Sequence, residues 1–308
     1  MDASPGLVQA LLPVTAHLAA RIPAAHPSAR ILGTERMGSA VVVEPDGLLL
    51  TVNYVVMGAR RVRVTLPRGR RLDGRVVAQD FESGLALLRV PANRLPAATL
   101  GTSERLTPGT PVFAIAATGP TERRVGAGLV TDLGEFEAYW EYLLDRGIVS
   151  SAANPGFGGG PLFTLGGAVV GIVSLNLEGI GRESLAIPVE CFTRHRTELL
   201  EFGRVTSRRP RAWIGIFPHR VEEGLIVAGL VPDGPGERGG LREGDVILRV
   251  DDEEVSTRRT LYAALWRREP GERVVLDVKR DDHLERVEVL AQDRSEFYGL
   301  ERRGSGPS

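Results

Sequence analysis

The sequence predicts a mainly β protein built from two domains. From about residue 31 to residue 190, short alternating or apolar runs are separated by turns such as Pro45-Asp46-Gly47, Pro67-Arg68-Gly69 and Pro108-Gly109. That rhythm suits an all-β sandwich or barrel. A different apolar pattern begins beyond the Arg- and Pro-containing stretch 204–210, which reads as a linker. A chain of 308 residues has room for about two domains, and 43% hydrophobic with 25% charged residues is the balance of a globular protein with buried cores.

In chain order, residues 1–30 read as an N-terminal helical segment, because Leu7, Val8, Leu11, Leu12, Val14 and Leu18 can line one side of a helix broken or kinked at Pro13. Its apolar side is expected to pack on the β domain that follows. Residues 31–203 form the β domain, closed by a helix over Val189–Phe202 with Gly203 as its stop. The second domain spans 211–293. It carries a helix across Leu261–Trp266 and, after Pro270-Gly271, a strand rich in Val274, Val275, Leu276 and Val278. Residues 294–308 are a tail, with disorder expected at Gly304-Ser305-Gly306-Pro307-Ser308.

Charge and composition exclude several functions. A net charge of −1 gives no global attraction to nucleic acid or an anionic membrane, and clusters such as Arg60-Arg61-Val62-Arg63, Arg68-Gly69-Arg70-Arg71 and Arg208-Arg209 read as solvated strand edges or linker. A single cysteine, Cys191, rules out an internal disulfide framework. The few, dispersed Cys and His residues give no metal-ligand spacing, so no metal and no cofactor are expected. Met1-Asp2-Ala3-Ser4-Pro5 lacks a basic signal-peptide region and Pro13 interrupts the one apolar run near it. With no membrane segment either, a cytoplasmic location is expected if Met1 is the native start.

Chemistry concentrates in Asn154-Pro155-Gly156-Phe157-Gly158-Gly159-Gly160-Pro161-Leu162. This stretch resembles the nucleophile loop N-P-G-N-S-G-G-P-L of the high-temperature-requirement (HtrA/Deg) family of trypsin-like serine proteases, in which glycines turn backbone N–H groups toward a developing oxyanion. Upstream, Gly38-Ser39-Ala40-Val41-Val42-Val43 and Asp46-Gly47-Leu48-Leu49-Leu50-Thr51-Val52-Asn53-Tyr54-Val55-Val56 resemble that family's G-S-G-h-h-h and D-G-h-h-L-T-N-N-H-V-V. Asp80-Phe81-Glu82-Ser83-Gly84-Leu85-Ala86 resembles D-P-x-T-D-L-A. The resemblance implies a chymotrypsin-like double β-barrel. It also aligns Tyr54, Gly84 and Gly158 with the general base, the orienting carboxylate and the nucleophile, and Gly156, Phe157 and Gly158 with the oxyanion loop. Gly158 has no atom with which to attack, and a phenol near pKa 10 is a poor base. Rescue by His is not expected, because His17, His26, His195, His219 and His283 lie outside residues 27–194. Cys191 and His195, four apart on the expected closing helix, share a face but have no third group to orient the imidazole.

The second domain resembles a bacterial-type PDZ domain in Trp213-Ile214-Gly215-Ile216 and in Gly240-Leu241-Arg242-Glu243-Gly244-Asp245-Val246-Ile247. Such domains bind extended peptides by strand addition and take the terminal carboxylate on backbone amides. The resemblance therefore nominates Trp213, Ile214, Gly215, Ile216, Leu261, Tyr262 and Leu265 for peptide binding, with part of this set reserved for the domain core. The function expected from the sequence is that of a protease homologue without enzymatic activity, a peptide-binding scaffold, adaptor or regulator in protein quality control. Its expected partners are polypeptides with apolar C-termini and other copies or an active relative. The alternatives are a serine-type endopeptidase with a displaced or partner-supplied active centre, or an oligomerisation platform.

Overall fold

Residues 4–177 and 183–299 are described by a computed structural model, which divides into two units. Among the described residues, the first comprises 4–24, 32–136, 144–177 and 183–206, and the second 25–31, 137–143 and 207–299.

The first unit is two closed six-stranded barrels. One contains β1 (Thr15–Arg21), β2 (Glu35–Glu44), β3 (Leu48–Val52), β4 (Arg61–Thr65), β5 (Arg71–Asp80) and β6 (Leu85–Arg89), ordered β1-β2-β3-β6-β5-β4. The other contains β7 (Pro111–Ala117), β8 (Arg123–Ala138), β9 (Tyr142–Ser150), β10 (Pro161–Thr164), β11 (Val169–Leu177) and β12 (Glu183–Pro188), ordered β10-β11-β12-β9-β8-β7. Closure removes sheet edges, so the alternating pattern of the sequence resolves into an inward apolar set. Leu18, Val41, Leu48, Leu50, Leu85 and Leu87 are fully buried in the first barrel, while Val112, Ala114, Ile148, Leu162 and Val173 share the core of the second.

Strand β1 corrects the expected N-terminal helical segment. The helix Pro5–Leu11 does form, capped by Ser4 Oγ accepting from the Leu7 amide, but Thr15–Arg21 is a barrel strand paired to both β2 and β4. Alanine-rich sequence favours helix locally, and closing the barrel overrides that preference. The expected closing helix is likewise split into Glu190–Thr193 and Arg196–Phe202, with Gly203 left-handed at the end. His195 lies at the break and contacts Glu198, so Cys191 and His195 do not share one continuous helix face.

In the second unit a sheet runs β14 (Ile216–Val221), β15 (Gly224–Leu230), β16 (Val246–Val250), β18 (Arg273–Arg280) and β19 (His283–Leu290), with β17 (Glu253–Glu254) beside β16 and a separate pair made by β13 (Ala212–Trp213) and β20 (Gln292–Asp293). The helix Arg258–Leu265 starts from a capping box at Thr257 and Thr260 and buries Leu261, Tyr262 and Leu265. Asp245 of the G-L-R-E-G-D-V-I stretch is 1% exposed; it accepts two bonds from Arg280 at 2.7 Å each and one from the Arg242 amide at 2.8 Å. Arg294–Tyr298, expected as part of a tail, forms a helix with Tyr298 buried. Gly304–Ser308 lies outside the described residues.

Candidate functional site

Two places hold the residues singled out by sequence, one in each unit. In the first unit, β3 ends in the short helix Asn53–Val56, which carries Tyr54, and the Asn53 amide donates to the Gly84 carbonyl oxygen at 2.7 Å. The Tyr54 hydroxyl donates to the Ser174 carbonyl oxygen at 2.8 Å. A Cβ added to Gly158 would fall on that hydroxyl and lie 2.9 Å from the same carbonyl. Tyr54 and Gly158 are therefore in contact, and Gly84 is one hydrogen bond from the helix that bears Tyr54. Burial pushes the Tyr54 phenol up to about 12, so it is a neutral donor at physiological pH.

The loop 156–160 is held by both barrels. Ser39 N–H donates to Gly158 O at 2.7 Å, Ser39 Oγ donates to Phe157 O at 2.7 Å, and the Ala117 amide donates to Ser39 Oγ at 2.8 Å. Phe157 N–H donates to Ala117 O, and Gly156 N–H is engaged by Asn154 Oδ1 at 3.3 Å. Ser150 and Ser151 pair with Ser184 and with the Leu129 backbone, as structural hydroxyls.

His17 was not anticipated here. Because β1 belongs to the barrel, His17 reaches Phe157, with ring centroids 5.9 Å apart. It is buried, and neither ring nitrogen has a hydrogen-bond partner among the described residues. Burial, then the nearby Arg123 charge, lowers its pKa. Arg123, rooted on β8, donates to the carbonyls of Thr15 at 2.8 Å and Thr65 at 3.0 Å in the first barrel and to Gly119 in its own. No group of three His, Cys, Asp or Glu residues among those described could hold a metal ion.

In the second unit, the loop before β14 turns through Gly215, whose φ of 75° is left-handed backbone that glycine enters without steric cost. The turn points three successive amides at one place, and a carboxylate is there. Glu141 Oε1 accepts from Gly215 at 2.7 Å and Ile216 at 2.9 Å, and Oε2 accepts from Ile214 at 3.1 Å. Left empty and dry, each of these amides would cost about 1–3 kcal/mol. Burial pushes Glu141 up to about 7, against the opposing pull of the three amides and Arg294. Tyr262 Oη donates to Ala138 O at 2.5 Å and accepts from the Glu141 amide at 3.1 Å.

Of the residues nominated for peptide binding, Ile214, Ile216, Leu261, Tyr262 and Leu265 are fully buried in the domain core cluster. Trp213 is buried against Phe297 and Tyr298, at ring distances of 4.9 and 5.5 Å. Gly215 lies in the amide turn itself. Sequence reading missed Glu141 altogether, since nothing in Glu137-Ala138-Tyr139-Trp140-Glu141-Tyr142 distinguishes one acidic turn residue from another.

A trypsin-like peptidase domain family matches residues 38–172, and a PDZ domain family matches residues 212–290. Barrels, loop and amide turn thus define a trypsin-like peptidase domain followed by a PDZ domain. A relative from Halomonas elongata named "Probable periplasmic serine endoprotease DegP-like" is 33% identical over 83% of this chain and 56% of its own length. One of the same name from Ectopseudomonas mendocina is 32% identical over 86% and 58%. The solved HtrA-type protease AlgW with tripeptide is 28% identical, with a TM-score of 0.57 over 93% of this chain and 95% of that one; the form with decapeptide gives 28% and 0.54 over 94% and 98%. The chain carries an HtrA/DegP-type trypsin-like peptidase domain followed by a PDZ domain, and it spans a little over half the length of these curated relatives.

Two expectations are corrected by these findings. The reading of the chain as no enzyme is overturned by relatives that are named serine endoproteases across most of its length, which places it with a protease family. The cytoplasmic expectation is overturned by the same names, which are periplasmic. Among the described residues, no helix is long and apolar enough to cross a membrane.

Proposed function

We propose that this chain handles polypeptide in the periplasm, receiving free C-termini on the amide turn Ile214–Ile216 and extended segments in the cleft between its barrels. One observation carries the proposal: three adjacent amides converge on a carboxylate, which is the recognition chemistry a peptide C-terminus requires. The periplasmic location and an endopeptidase role come from the relatives' names. The second carries a chemical condition. Gly158 offers no side-chain oxygen, so peptide-bond cleavage needs a nucleophile from another residue of this chain or from a partner.

The test uses the purified chain, unfolded casein, and a pool of dye-labelled decapeptides ending in Val, Leu or Phe with free or amidated C-termini. Saturable binding of the free-acid pool, with weaker binding of the amides, is expected, on the order of micromolar. Equal binding of both forms overturns carboxylate recognition. Casein cleavage is followed in parallel with a fluorophosphonate probe, and mass spectrometry of the labelled residue identifies any nucleophile. Casein cleavage together with stoichiometric labelling of a residue other than 158 supports the displaced-centre form. Absence of both cleavage and labelling overturns the endopeptidase role for the isolated chain.

A further inference from the structure

The carboxylate on the amide turn belongs to the protein itself. Glu141 sits at the tip of the β8–β9 hairpin, more than seventy residues before the turn that holds it. It is 5% exposed, and its φ of 55° is a left-handed conformation uncommon for a residue with a side chain. Such backbone persists where surrounding contacts dictate it. Here they do: the side chain accepts three amides, the Glu141 amide meets Tyr262 Oη, and its carbonyl accepts from Arg294 at 3.3 Å. Tyr262 also holds the Ala138 carbonyl, and Tyr139 lies edge-on to Phe217 and His219 of β14 at 6.2 and 5.4 Å.

We propose that residues 137–143 are an internal ligand of the PDZ domain, with Glu141 standing in for a C-terminal carboxylate, and that free peptides bind by displacing it. This rests on the polypeptide-binding reading above and adds a regulatory element to it. The same three donors cannot serve two carboxylates, so occupancy is mutually exclusive. A tethered occupant acts at an effective concentration on the order of millimolar, and the affinity seen by an external peptide falls by the fraction of molecules in which the turn is open. Peptide binding and hairpin release are then one event.

The experiment uses the full chain as wild type, Glu141→Ala and Tyr262→Phe. The second variant keeps the buried ring, leaves all three amides intact and removes the hydroxyl that fastens Ala138. Hydrogen exchange reads the hairpin and the turn, and the free-acid and amidated decapeptide pools read binding. The proposal expects faster exchange of 137–143 in both variants, at least tenfold tighter binding of the free-acid pool than by wild type, and faster exchange of 137–143 in wild type on adding that pool. Unchanged exchange in both variants overturns internal docking. Equal affinity in wild type and both variants overturns the competition while leaving peptide binding intact. Failure of all three proteins to bind the pool overturns the peptide-binding reading, and the competition with it.

Discussion

Tyr54 and Gly158 fill one another's space: the phenol hydroxyl stands where a side chain on residue 158 would begin, and it spends its proton on the Ser174 carbonyl. The two positions form a matched pair. A serine introduced at 158 alone meets a buried hydroxyl and a backbone oxygen, neither of which can retreat without cost.

Gly158→Ser should therefore lower stability by about 1–3 kcal/mol, the range of overpacked sites. Adding Tyr54→His makes room, so the double variant should recover at least about 1 kcal/mol relative to additivity. Urea denaturation of the four proteins in the cycle measures this coupling. Strict additivity would show that the contact is not a constraint.

His17 predicts an acid-side loss of stability. Its folded pKa is lowered by burial and by Arg123, so the unfolded chain takes up a proton first. The stabilising contribution is present above the unfolded value of about 6.5 and is lost as pH falls through it toward the folded value. His17→Phe should flatten the midpoint of urea unfolding between about pH 7 and pH 5, relative to wild type. A slope unchanged by the substitution would assign it to other groups.

Glu141 titrates in the opposite sense. Its pKa in the docked hairpin is raised to about 7, above the ordinary carboxylate value, so docking is favoured at low pH and weakens as pH rises through about 7. The groups around it are Arg294, Tyr262 and Tyr142, with Arg258 and Glu137 acting on Tyr262. Hydrogen exchange of 137–143, corrected for intrinsic rates, should quicken from pH 5.5 to 8, conditions chosen about either side of that value. Glu141→Gln should abolish the dependence, and its persistence would move the titration elsewhere.

Asp245 is the buried partner of Arg280, whose side chain is 11% exposed. Asp245→Ala removes two of the bonds that Arg280 donates and strands the Arg242 amide, while Glu285 and the Gly240 carbonyl still hold the guanidinium, so it should cost about 1–3 kcal/mol. Paired replacement of both residues by apolar side chains should cost less than the single change. Thermal unfolding of the three proteins distinguishes these outcomes.

Local chemistry was legible where the backbone itself demanded particular residues. The turns Pro45-Asp46-Gly47 and Pro108-Gly109, the Gly203 helix stop and the Gly240–Ile247 stretch all gave their structural positions away. Strand β1 was hidden because Ala16, Ala19 and Ala20 favour helix, and only barrel closure supplies the reason for a strand. That omission also concealed His17. Glu141 was beyond reach for another cause: its meaning lies wholly in donors 73 to 75 residues away, on a turn whose glycine could be recognised but whose occupant could not.

Arg123 sets a mechanical condition on how the two barrels meet. Rooted in one barrel and fastened to the carbonyls of two strands of the other, it works as a rivet, with burial lowering its pKa to about 10 and leaving it charged under physiological conditions. A rivet transmits load rather than yielding. The two barrels are therefore held at a fixed spacing around His17 and the loop that carries Phe157.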